Sequence, residues 1–378
     1  MIDIVRQEVV QSADLIIIKI GTNVLSQADG TLDRAHLAHL ASQVADLRAE
    51  GKNVAIVSSG AVGAGVGKLK LGSRPGTLPE LQAAAAVGQA DLIQAYDESF
   101  RAHGCHAAQI LVTAEDFDNR TRYLNVRNTI HQLLDWNAVP IINENDTVST
   151  DEMRFGDNDK LAALVTNLLR APLLVILSVV DGLYRGDPRR SGSELIDVVL
   201  DLNDDVQGLA VATKSDLGTG GMKSKLDAAR IATTAGESVW IANGRTPDIL
   251  RKVMAGEKVG TLFPARGESL TSWKRWIGYS VRPRGIYIVD KGAKDALVVS
   301  GSSLLPIGVV RVEGDFEKGD VVSISTEEGD VFARGLSNYR SHDAQIIRGL
   351  PTGAIRGVLG HAAYAEAIHR DNLVILHS

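Results

Sequence analysis

Acidic and amide side chains are concentrated in one stretch of this chain, between Asn143 and Lys160. It contains the segments Asn143-Glu-Asn-Asp146 and Phe155-Gly-Asp-Asn-Asp159. Carboxylates at this density can bind the ammonium group of a small ligand or hold lysine side chains in place. Asn and Asp are also common in solvated turns, so the stretch taken alone leaves both interpretations open.

Lys19 is a second candidate for chemistry, because it interrupts the apolar run 15–20. A lysine in such a run costs free energy unless its ammonium group reaches the end of the strand and meets an anion. The alternative is a side chain that snorkels to solvent. We expect a functional role for Lys19.

Two glycine-rich turns could bind phosphate groups. Gly218-Thr-Gly-Gly-Met-Lys-Ser-Lys225 precedes a predicted helix, whose N-terminus offers unpaired N–H groups and a positive dipole end to a polyphosphate. The same residues are equally typical of a flexible loop. Ser58-Ser59-Gly60-Ala61 lets a backbone approach a ligand closely, but it matches neither the Rossmann fingerprint nor a Walker A loop and is a weak signal.

The elements that position these residues alternate between strand and helix up to residue 254. Such alternation, with unbroken apolar strands, predicts an α/β domain with a mostly parallel sheet covered on both faces. The acidic stretch then follows a strand, at the sheet edge where ligands bind, with Asp157 or Asn158 as N-cap of the next helix. Strands are predicted at 15–20, 53–57, 107–113, 138–142, 173–178 and 238–241, and helices at 34–50, 83–103, 122–136, 161–170, up to 235, and 246–254.

Further segments complete the predicted organisation. The region 187–205 is predicted to be a surface excursion with a small hairpin, followed by a helix near 206–213. The composition changes after residue 263, which predicts a first domain over 1–265, a linker over 266–282 and a second domain over 283–378. The second domain is predicted as a small β-rich barrel with strands at 285–289, 296–299, 308–312, 320–325 and 331–336.

The length, net charge and residue counts of the chain argue against several classes of protein. A length of 378 residues favours two domains, and a net charge of -6 argues against a protein built mainly to hold nucleic acid. No apolar run approaches ~20 residues and the first residues lack a secretory signal, so neither a membrane span nor secretion is expected. Cys105 is alone, which predicts a cytoplasmic protein without internal disulfides. The nine histidines show no metal-ligand spacing, so no protein metal site is expected.

Taken in order, these motifs resemble the amino acid kinase family over nearly the whole chain. The segments that carry the resemblance are Lys19-Ile-Gly-Thr22, Ser58 to Ala61, Asn143 to Asp146, Phe155 to Asp159 and Gly218 to Lys225, of which the last two in this order are highly specific. The C-terminal part, including Gly301-Ser-Ser-Leu-Leu-Pro-Ile-Gly308, looks like a PUA domain. The resemblance implies a three-layer αβα sandwich, followed along the chain by a small PUA-like barrel.

The resemblance is to the glutamate-phosphorylating members of the family, and it implies an activity. The expected reaction moves the ATP γ-phosphoryl group to the side-chain carboxylate of L-glutamate, as the first step of proline synthesis. The resemblance also implies Mg²⁺ bridged mainly by the ATP phosphates, feedback inhibition by proline, and a homo-oligomer, either dimer or tetramer. Glutamyl phosphate reductase is a candidate partner, and neither membrane nor RNA is expected as one.

Carried over by position, the resemblance implies roles for individual residues. Lys19 and Lys225 suit the oxygens of the moving phosphoryl group, and Asp159 would keep both lysines charged and aimed. Asp157 and Asp146 suit the α-ammonium group of the substrate. The substrate-binding set is Ser59, Gly60, Asn143, Asp146, Asp157 and Asn158. The ATP-binding set is Lys19, Gly21, Thr22, Ser178, Val179, Thr219, Gly220, Gly221, Met222, Lys223, Ser224 and Lys225.

One departure from the family pattern and two alternatives stay open. The family usually has Thr-Asp or Ser-Asp where this chain has Ser178-Val179, so one polar contact expected near the nucleotide is absent. The alternative substrates are aspartate, N-acetylglutamate and a small carbamate. The alternative class is an RNA-binding regulator acting through the PUA-like domain. From Arg282 onward, however, eleven basic and twelve acidic residues leave little positive charge for RNA.

Overall fold

The computed structural model describes residues 4–27, 29–149, 157–188, 192–202, 221–265, 272–360 and 364–376. The chain divides into two compact units, Met1–Ser269 and Leu270–Ser378. The boundaries expected at 265 and 282 stay predictions. None of the helices in the described ranges is both long enough and apolar enough to cross a membrane.

The strands of the first unit are β1 Leu15–Ile20, β2 Asn53–Ser58, β3 His106–Val112, β4 Ala138–Glu144, β5 Leu173–Ser178, β6 Tyr184–Arg185, β7 Glu194–Leu195, β8 Ser238–Asn243 and β9 Thr261–Phe263. Seven of them form one sheet in the order β3-β4-β2-β1-β5-β8-β9. All neighbours are parallel except β8 and β9. The predicted mostly parallel sheet is therefore confirmed. The short strands β6 and β7 pair antiparallel; β7 lies inside the region 187–205 where a small hairpin was expected, and β6 lies just before it.

The helices of the first unit are α1 Ile4–Ser12, α2 Thr22–Leu25, α3 Arg34–Ala49, α4 Ala61–Leu69, α5 Leu78–Arg101, α6 Ala114–Asp118, α7 Arg120–Asp135, α8 Asn158–Leu169, α9 Met222–Ala235 and α10 Ile249–Met254. Helix α5 begins earlier than the predicted residue 83. The side chain of Glu80 accepts a hydrogen bond from the Thr77 backbone N–H at 3.1 Å, which caps the helix there. The helix expected near 206–213 lies outside the described residues.

Helices cover both faces of the sheet. Ile16, Ile18 and Ile20 of β1 belong to a buried cluster that also contains Leu37 of α3 and Leu92 of α5. Because side chains alternate along a strand, Lys19 points to the opposite face, where α8 lies against β1, β2 and β5. The layer order is therefore helix, sheet, helix, and Lys19 faces the layer that contains α8.

Helices α4 and α5 pack with their backbones in close contact. A Cβ atom added at Gly88 of α5 would lie 1.8 Å from the carbonyl oxygen of Ala61, and one at Gly65 would lie 1.8 Å from that of Ala84. Only glycine permits this approach. The packing fixes the start of α4, which immediately follows Ser59 and Gly60, against α5.

The second unit is a mixed sheet with short helices. Its strands are β10 Gly285–Val289, β11 Val309–Gly314, β12 Val321–Ser325, β13 Val331–Leu336 and β14 Leu373–Ile375, and its helices are α11 Ser272–Arg275, α12 Lys291–Val298, α13 Ser341–Ile347 and α14 Thr352–Leu359. The sheet order is β11-β10-β12-β13-β14, with β10 and β12 parallel. A π-helical turn, Trp276–Ser280, follows α11, and short 3₁₀ turns lie at Pro306–Gly308 and Arg370–Asn372.

One predicted strand of the second unit is wrong. Residues 296–299 were expected to be extended, but 296–298 end α12, which begins after Asp290 and is capped by its side chain on the Ala293 N–H at 2.7 Å. A short apolar run fits a strand and a helix equally well, and the cap lies six residues before it. Helices α13 and α14 and strand β14 had no counterpart in the prediction. The β-rich character of this unit is confirmed.

Candidate active site

One buried carboxylate holds two lysine side chains at the carboxyl edge of the large sheet. Asp159, in the first turn of α8, is fully buried. Its Oδ1 lies 2.6 Å from Lys19 Nζ, and its Oδ2 accepts a hydrogen bond from Lys225 Nζ at 3.1 Å. Lys19 comes from β1 and Lys225 from α9, and each is only 4% exposed. Three separate elements thus bring two positive charges to one point.

The charge state of Asp159 follows from this arrangement. Burial raises the pKa of the Asp159 carboxyl, but the Lys19 and Lys225 ammonium groups outweigh burial and hold the pKa below its ordinary value of 3.8. Asp159 is therefore ionised at neutral pH. The site carries one negative charge against two positive ones before the other carboxylate is considered.

Asp157 and Ser224 join this ionic centre. Asp157 is the N-cap of α8, where its Oδ1 accepts from the Asp159 backbone N–H at 3.0 Å and lies 4.0 Å from Lys19 Nζ. The Ser224 hydroxyl lies 2.6 Å from Asp157 Oδ2 and 2.9 Å from Asp159 Oδ2. Ser224 was assigned to ATP from the sequence, and the structure places its hydroxyl between the two aspartates.

Beside the ionic centre, a chain of amides links β4, α8 and the end of β2. Asn158 Nδ2 donates to Asn143 Oδ1 at 2.9 Å, to Ser59 Oγ at 2.9 Å and to the Ser58 carbonyl oxygen at 3.2 Å. Gly60 follows Ser59 with φ of 110°, a left-handed conformation that favours glycine. The structure therefore brings Ser59, Asn143 and Asn158 of the expected substrate set into direct contact.

On the other side of β1 lie the ends of β5 and β8. Gly21 donates its N–H to the Leu177 carbonyl oxygen at 3.1 Å. The backbone carbonyl oxygen of Ser178 accepts from the Gly244 N–H at 2.7 Å. Val179 follows with a side chain that is 47% exposed. Asn243, at the end of β8, donates to Asp181 Oδ1 at 2.9 Å, a polar pair that the sequence analysis did not single out.

The remaining expected residues occupy varied positions. Thr22 begins α2 and is half-buried, as is Asp146 in the turn after β4. Gly221 is the N-cap of α9, Met222 begins the helix and Lys223 is exposed. Thr219 and Gly220 lie outside the described residues, as do Phe155 and Gly156. The roles assigned to all of these residues stay predictions.

Gln89 is a site residue that the sequence analysis missed. It lies on α5 and is only 7% exposed, and its Oε1 accepts from Asn143 Nδ2 at 2.9 Å. The available signal was a glutamine at a core-facing position of a helix that is otherwise rich in alanine. Its partner lies 54 residues further along the chain, so local sequence could not identify the contact.

Comparisons with known proteins identify the family of this chain. The sequence model described as the Amino acid kinase family matches residues 14–243, and that described as the PUA domain matches residues 285–359. The chain belongs to the amino acid kinase family. The matched range of this amino acid kinase includes Lys19, Asp159 and Lys225.

Named relatives of this amino acid kinase match it over nearly the whole chain. The glutamate 5-kinase of Myxococcus xanthus is 47% identical over 97% of this chain and 97% of that protein. The glutamate 5-kinase of Citrifermentans bemidjiense is 46% identical over 98% of this chain and 100% of that protein. The glutamate 5-kinase of Caldanaerobacter subterraneus is 44% identical, covering 96% and 97% respectively.

Proposed function

We propose that this chain transfers the γ-phosphoryl group of ATP to the γ-carboxylate of L-glutamate, forming L-glutamyl 5-phosphate. The observation that carries the proposal is the buried Asp159 carboxylate in contact with the ammonium groups of Lys19 and Lys225. The identities of 44–47% to proteins named glutamate 5-kinase support the choice of substrate.

The chemistry explains why two lysines are useful. Both reactants are anions, so the enzyme must offset repulsion between a carboxylate and a triphosphate while it holds them in line. In the proposed step, an oxygen of the γ-carboxylate attacks the γ-phosphorus. The bond from that phosphorus to the β,γ-bridging oxygen breaks, and its electron pair stays on ADP. No general base is needed, because the carboxylate is already ionised at neutral pH.

Different residues of the site are assigned to the phosphoryl group, to glutamate and to ATP. We assign Lys19 and Lys225 to the oxygens of the moving phosphoryl group, with Asp159 keeping them charged and oriented. Ser59, Gly60, Asn143, Asp146, Asp157 and Asn158 are assigned to glutamate. Gly221 and the first turn of α9 are assigned to the ATP phosphates, whose negative charge suits a helix N-terminus.

We propose that Mg²⁺ enters with ATP. Both oxygens of Asp159 contact ammonium groups, so Asp159 has little capacity left for a metal ion. Within the described parts of the chain, no group of three or more His, Cys, Asp or Glu side chains is placed to hold a metal. Bound to the nucleotide, Mg²⁺ offsets the charge of its β- and γ-phosphates.

A hydroxamate assay tests the proposed function. Purified protein, ATP, Mg²⁺ and hydroxylamine are incubated in turn with L-glutamate, L-aspartate, N-acetyl-L-glutamate and carbamate. We expect ADP release and hydroxamate to rise together with glutamate, at a kcat/KM that exceeds those for the other three. Preference for another acceptor would overturn the substrate, and the absence of turnover with all four would overturn the reaction.

Replacing Asp157 by asparagine is expected to raise the KM for glutamate by about tenfold to a hundredfold. The change removes a charge-assisted hydrogen bond to the substrate ammonium group, worth roughly 1.5 to 3 kcal/mol. Asparagine is also a good N-cap, so α8 should keep its start. The KM for ATP should change by less than about threefold, measured by steady-state kinetics with each substrate varied in turn.

Asp33→Asn is a matched control for this prediction. Asp33 is the N-cap of α3 and accepts from the His36 N–H at 3.1 Å, so the variant changes the same charge at the same kind of position. It should leave both KM values near those of the wild type. A rise confined to the KM for ATP in Asp157→Asn would show that the two halves of the site have been assigned in reverse.

We also propose that glutamate phosphorylation needs only the first unit. Every residue assigned above precedes residue 265, so a chain truncated after Gly267 is expected to fold and to retain hydroxamate formation. Circular dichroism establishes folding and the assay above measures activity. Complete loss of activity in a truncated chain that is folded and monodisperse would contradict the proposed domain division.

Further properties implied by the resemblance belong to the same proposal. We propose that the chain acts at the first step of proline synthesis in the cytoplasm, is inhibited by proline, and forms a dimer or tetramer. Glutamyl phosphate reductase is the proposed consumer of its acyl phosphate. Adding L-proline to the hydroxamate assay tests the inhibition, and sedimentation measures the oligomer.

A further inference from the structure

The side-chain amides of Gln89, Asn143 and Asn158 are linked by hydrogen bonds in the candidate site. A backbone N–H determines which end of the Asn143 amide donates and which accepts. The Glu144 N–H can only donate, and it donates to Asn143 Oδ1 at 2.9 Å. That oxygen is therefore the acceptor end of the Asn143 amide, and Nδ2 is its donor end. The Asn143 side chain is 2% exposed, so water cannot easily replace the partners of either end.

Gln89 supplies the acceptor that the donor end requires. Its Oε1 accepts from Asn143 Nδ2 at 2.9 Å, while its own Nε2 is buried with no hydrogen-bond partner in the described part of the chain. A buried amide that satisfies one end and leaves the other unpaired is costly to keep. Packing alone would favour an apolar side chain there, so the accepted hydrogen bond calls for a function.

The direction of the Asn143 amide also favours one direction of the Asn158 amide. Asn143 Oδ1 accepts from Asn158 Nδ2, and the Ser58 carbonyl oxygen, which can only accept, receives a hydrogen bond from the same Nδ2. Two fixed acceptors thus hold the donor end of Asn158 inward. In the described residues, no group donates to Asn158 Oδ1, and the side chain is half-buried beside Ser59. Asn158 therefore presents an acceptor to a ligand.

We propose that Gln89 is a positioning residue that makes the substrate site select for an α-ammonium group, an inference that rests on the proposed function. The Glu144 N–H and the Ser58 carbonyl oxygen favour the amide directions that leave Asn158 Oδ1 available, and Gln89, by accepting from Asn143 Nδ2, holds the Asn143 side chain in that direction and position. The two carboxylates of glutamate are ionised at neutral pH, so its ammonium group is the only hydrogen-bond donor that it can offer. A reversed Asn158 amide would present a donor and favour a carboxylate instead.

The test compares L-glutamate with glutarate, which has the same dicarboxylate skeleton but no ammonium group. In Gln89→Met, an apolar residue of similar length removes the acceptor. We expect the KM for L-glutamate to rise about tenfold, as for the loss of one well-placed hydrogen bond. The inhibition constant of glutarate against glutamate and the KM for ATP should each stay within about twofold of the wild type.

Two further variants separate positioning from packing. Gln89→Glu keeps an oxygen facing Asn143 in either protonation state and should return the KM for glutamate to within about threefold of the wild type. Gln43→Met removes a buried glutamine of α3 whose Oε1 accepts from the Leu250 N–H at 2.9 Å. That variant should leave the ratio of glutamate KM to glutarate inhibition constant unchanged, whatever it does to the melting temperature.

Two results would overturn the inference while leaving the proposed function intact. In the first, the wild type phosphorylates glutamate, but Gln89→Met raises the KM for glutamate and the inhibition constant of glutarate by the same factor. Gln89 would then be a packing residue. The second is a Gln89→Met variant in which neither constant changes. A wild type that does not phosphorylate glutamate would refute the proposed function itself, and the inference with it.

Discussion

Replacing Lys225 by methionine is expected to lower kcat by about a hundredfold to a thousandfold, the cost of losing one preorganised electrostatic group. Methionine keeps most of the side-chain volume and deletes the charge. Lys225 lies near the start of α9, whose N-cap is Gly221, so backbone N–H groups at this helix N-terminus can bind the nucleotide phosphates while the ammonium group meets charge that shifts during transfer. Binding that strengthens only in the transition state changes kcat and not ground-state affinity.

The expected signature is a separation of catalysis from binding. ATP affinity, measured by calorimetry without glutamate, should change by less than about tenfold, or 1.4 kcal/mol. Arg230→Met is the matched control, because Arg230 lies on the same helix and, among the residues that the structure describes, forms its ion pair with Asp227, at 3.5 Å. Intact kcat at saturation together with a large loss of ATP affinity would instead make Lys225 a nucleotide anchor and leave Lys19 as the catalytic cation.

Asp159→Asn is expected to reduce kcat by about a thousandfold and to destabilise the first unit by about 3 to 5 kcal/mol at neutral pH. The carboxylate is fully buried and contacts both Lys19 and Lys225. An asparagine carries no charge, so it cannot neutralise the positive charges of two ammonium groups that are themselves almost fully buried. Both lysines would then lose their orientation, and their charged forms would be disfavoured.

The loss of stability should depend on pH with a definite sign. The Lys19 and Lys225 charges hold the pKa of Asp159 below its ordinary value in spite of burial, so the folded state favours the ionised form. This contribution is fully present above the unfolded pKa of about 3.9 and is lost as the pH falls through the lower folded pKa. The difference in unfolding free energy between wild type and Asp159→Asn should therefore be constant above about pH 5 and shrink in acid.

Urea unfolding of both proteins across pH measures this difference, and a double-mutant cycle identifies its origin. Lys225→Met should cost much less kcat in the Asp159→Asn background than in the wild type, because the two side chains act through one contact. Additive effects would mean that Asp159 does not position Lys225. A stability difference that grows in acid would contradict the assignment of an ionised carboxylate.

The local sequence identified the three segments that contribute to the ionic centre, and the resemblance implied that Asp159 holds Lys19 and Lys225 together. A lysine inside an apolar strand has few stable environments, so Lys19 indicated a nearby anion before any partner was known. The carboxylates before Leu161 were expected at a strand-to-helix loop, where parallel sheets bind ligands. Asp157 is indeed the N-cap of α8, one of the two positions that the sequence left open. These conclusions depend on burial and on helix capping, which nearby residues determine.

Local patterns failed where a short segment fits two structures or where the decisive partner is distant. Residues 296–298 end a helix because Asp290 caps it, although the apolar run resembles a strand. The placement of Ser224 between Asp157 and Asp159 depends on α9 packing against α8, and its partners lie 67 and 65 residues away. No propensity of the residues around Ser224 specifies that contact.

Gln89 shows the same division between sequence and tertiary structure most clearly. On the sequence, it is one polar residue in an alanine-rich amphipathic helix, and nothing near it indicates a ligand. Its role depends on the approach of α4 to α5 at Gly65 and Gly88, where any side chain would collide with backbone. That packing fixes α5 beside the end of β2, and Gln89 meets Asn143 of the adjacent β4 there. A hydrogen bond requires its atoms within a few tenths of an ångström, a precision that comes from packed backbones and not from local preference.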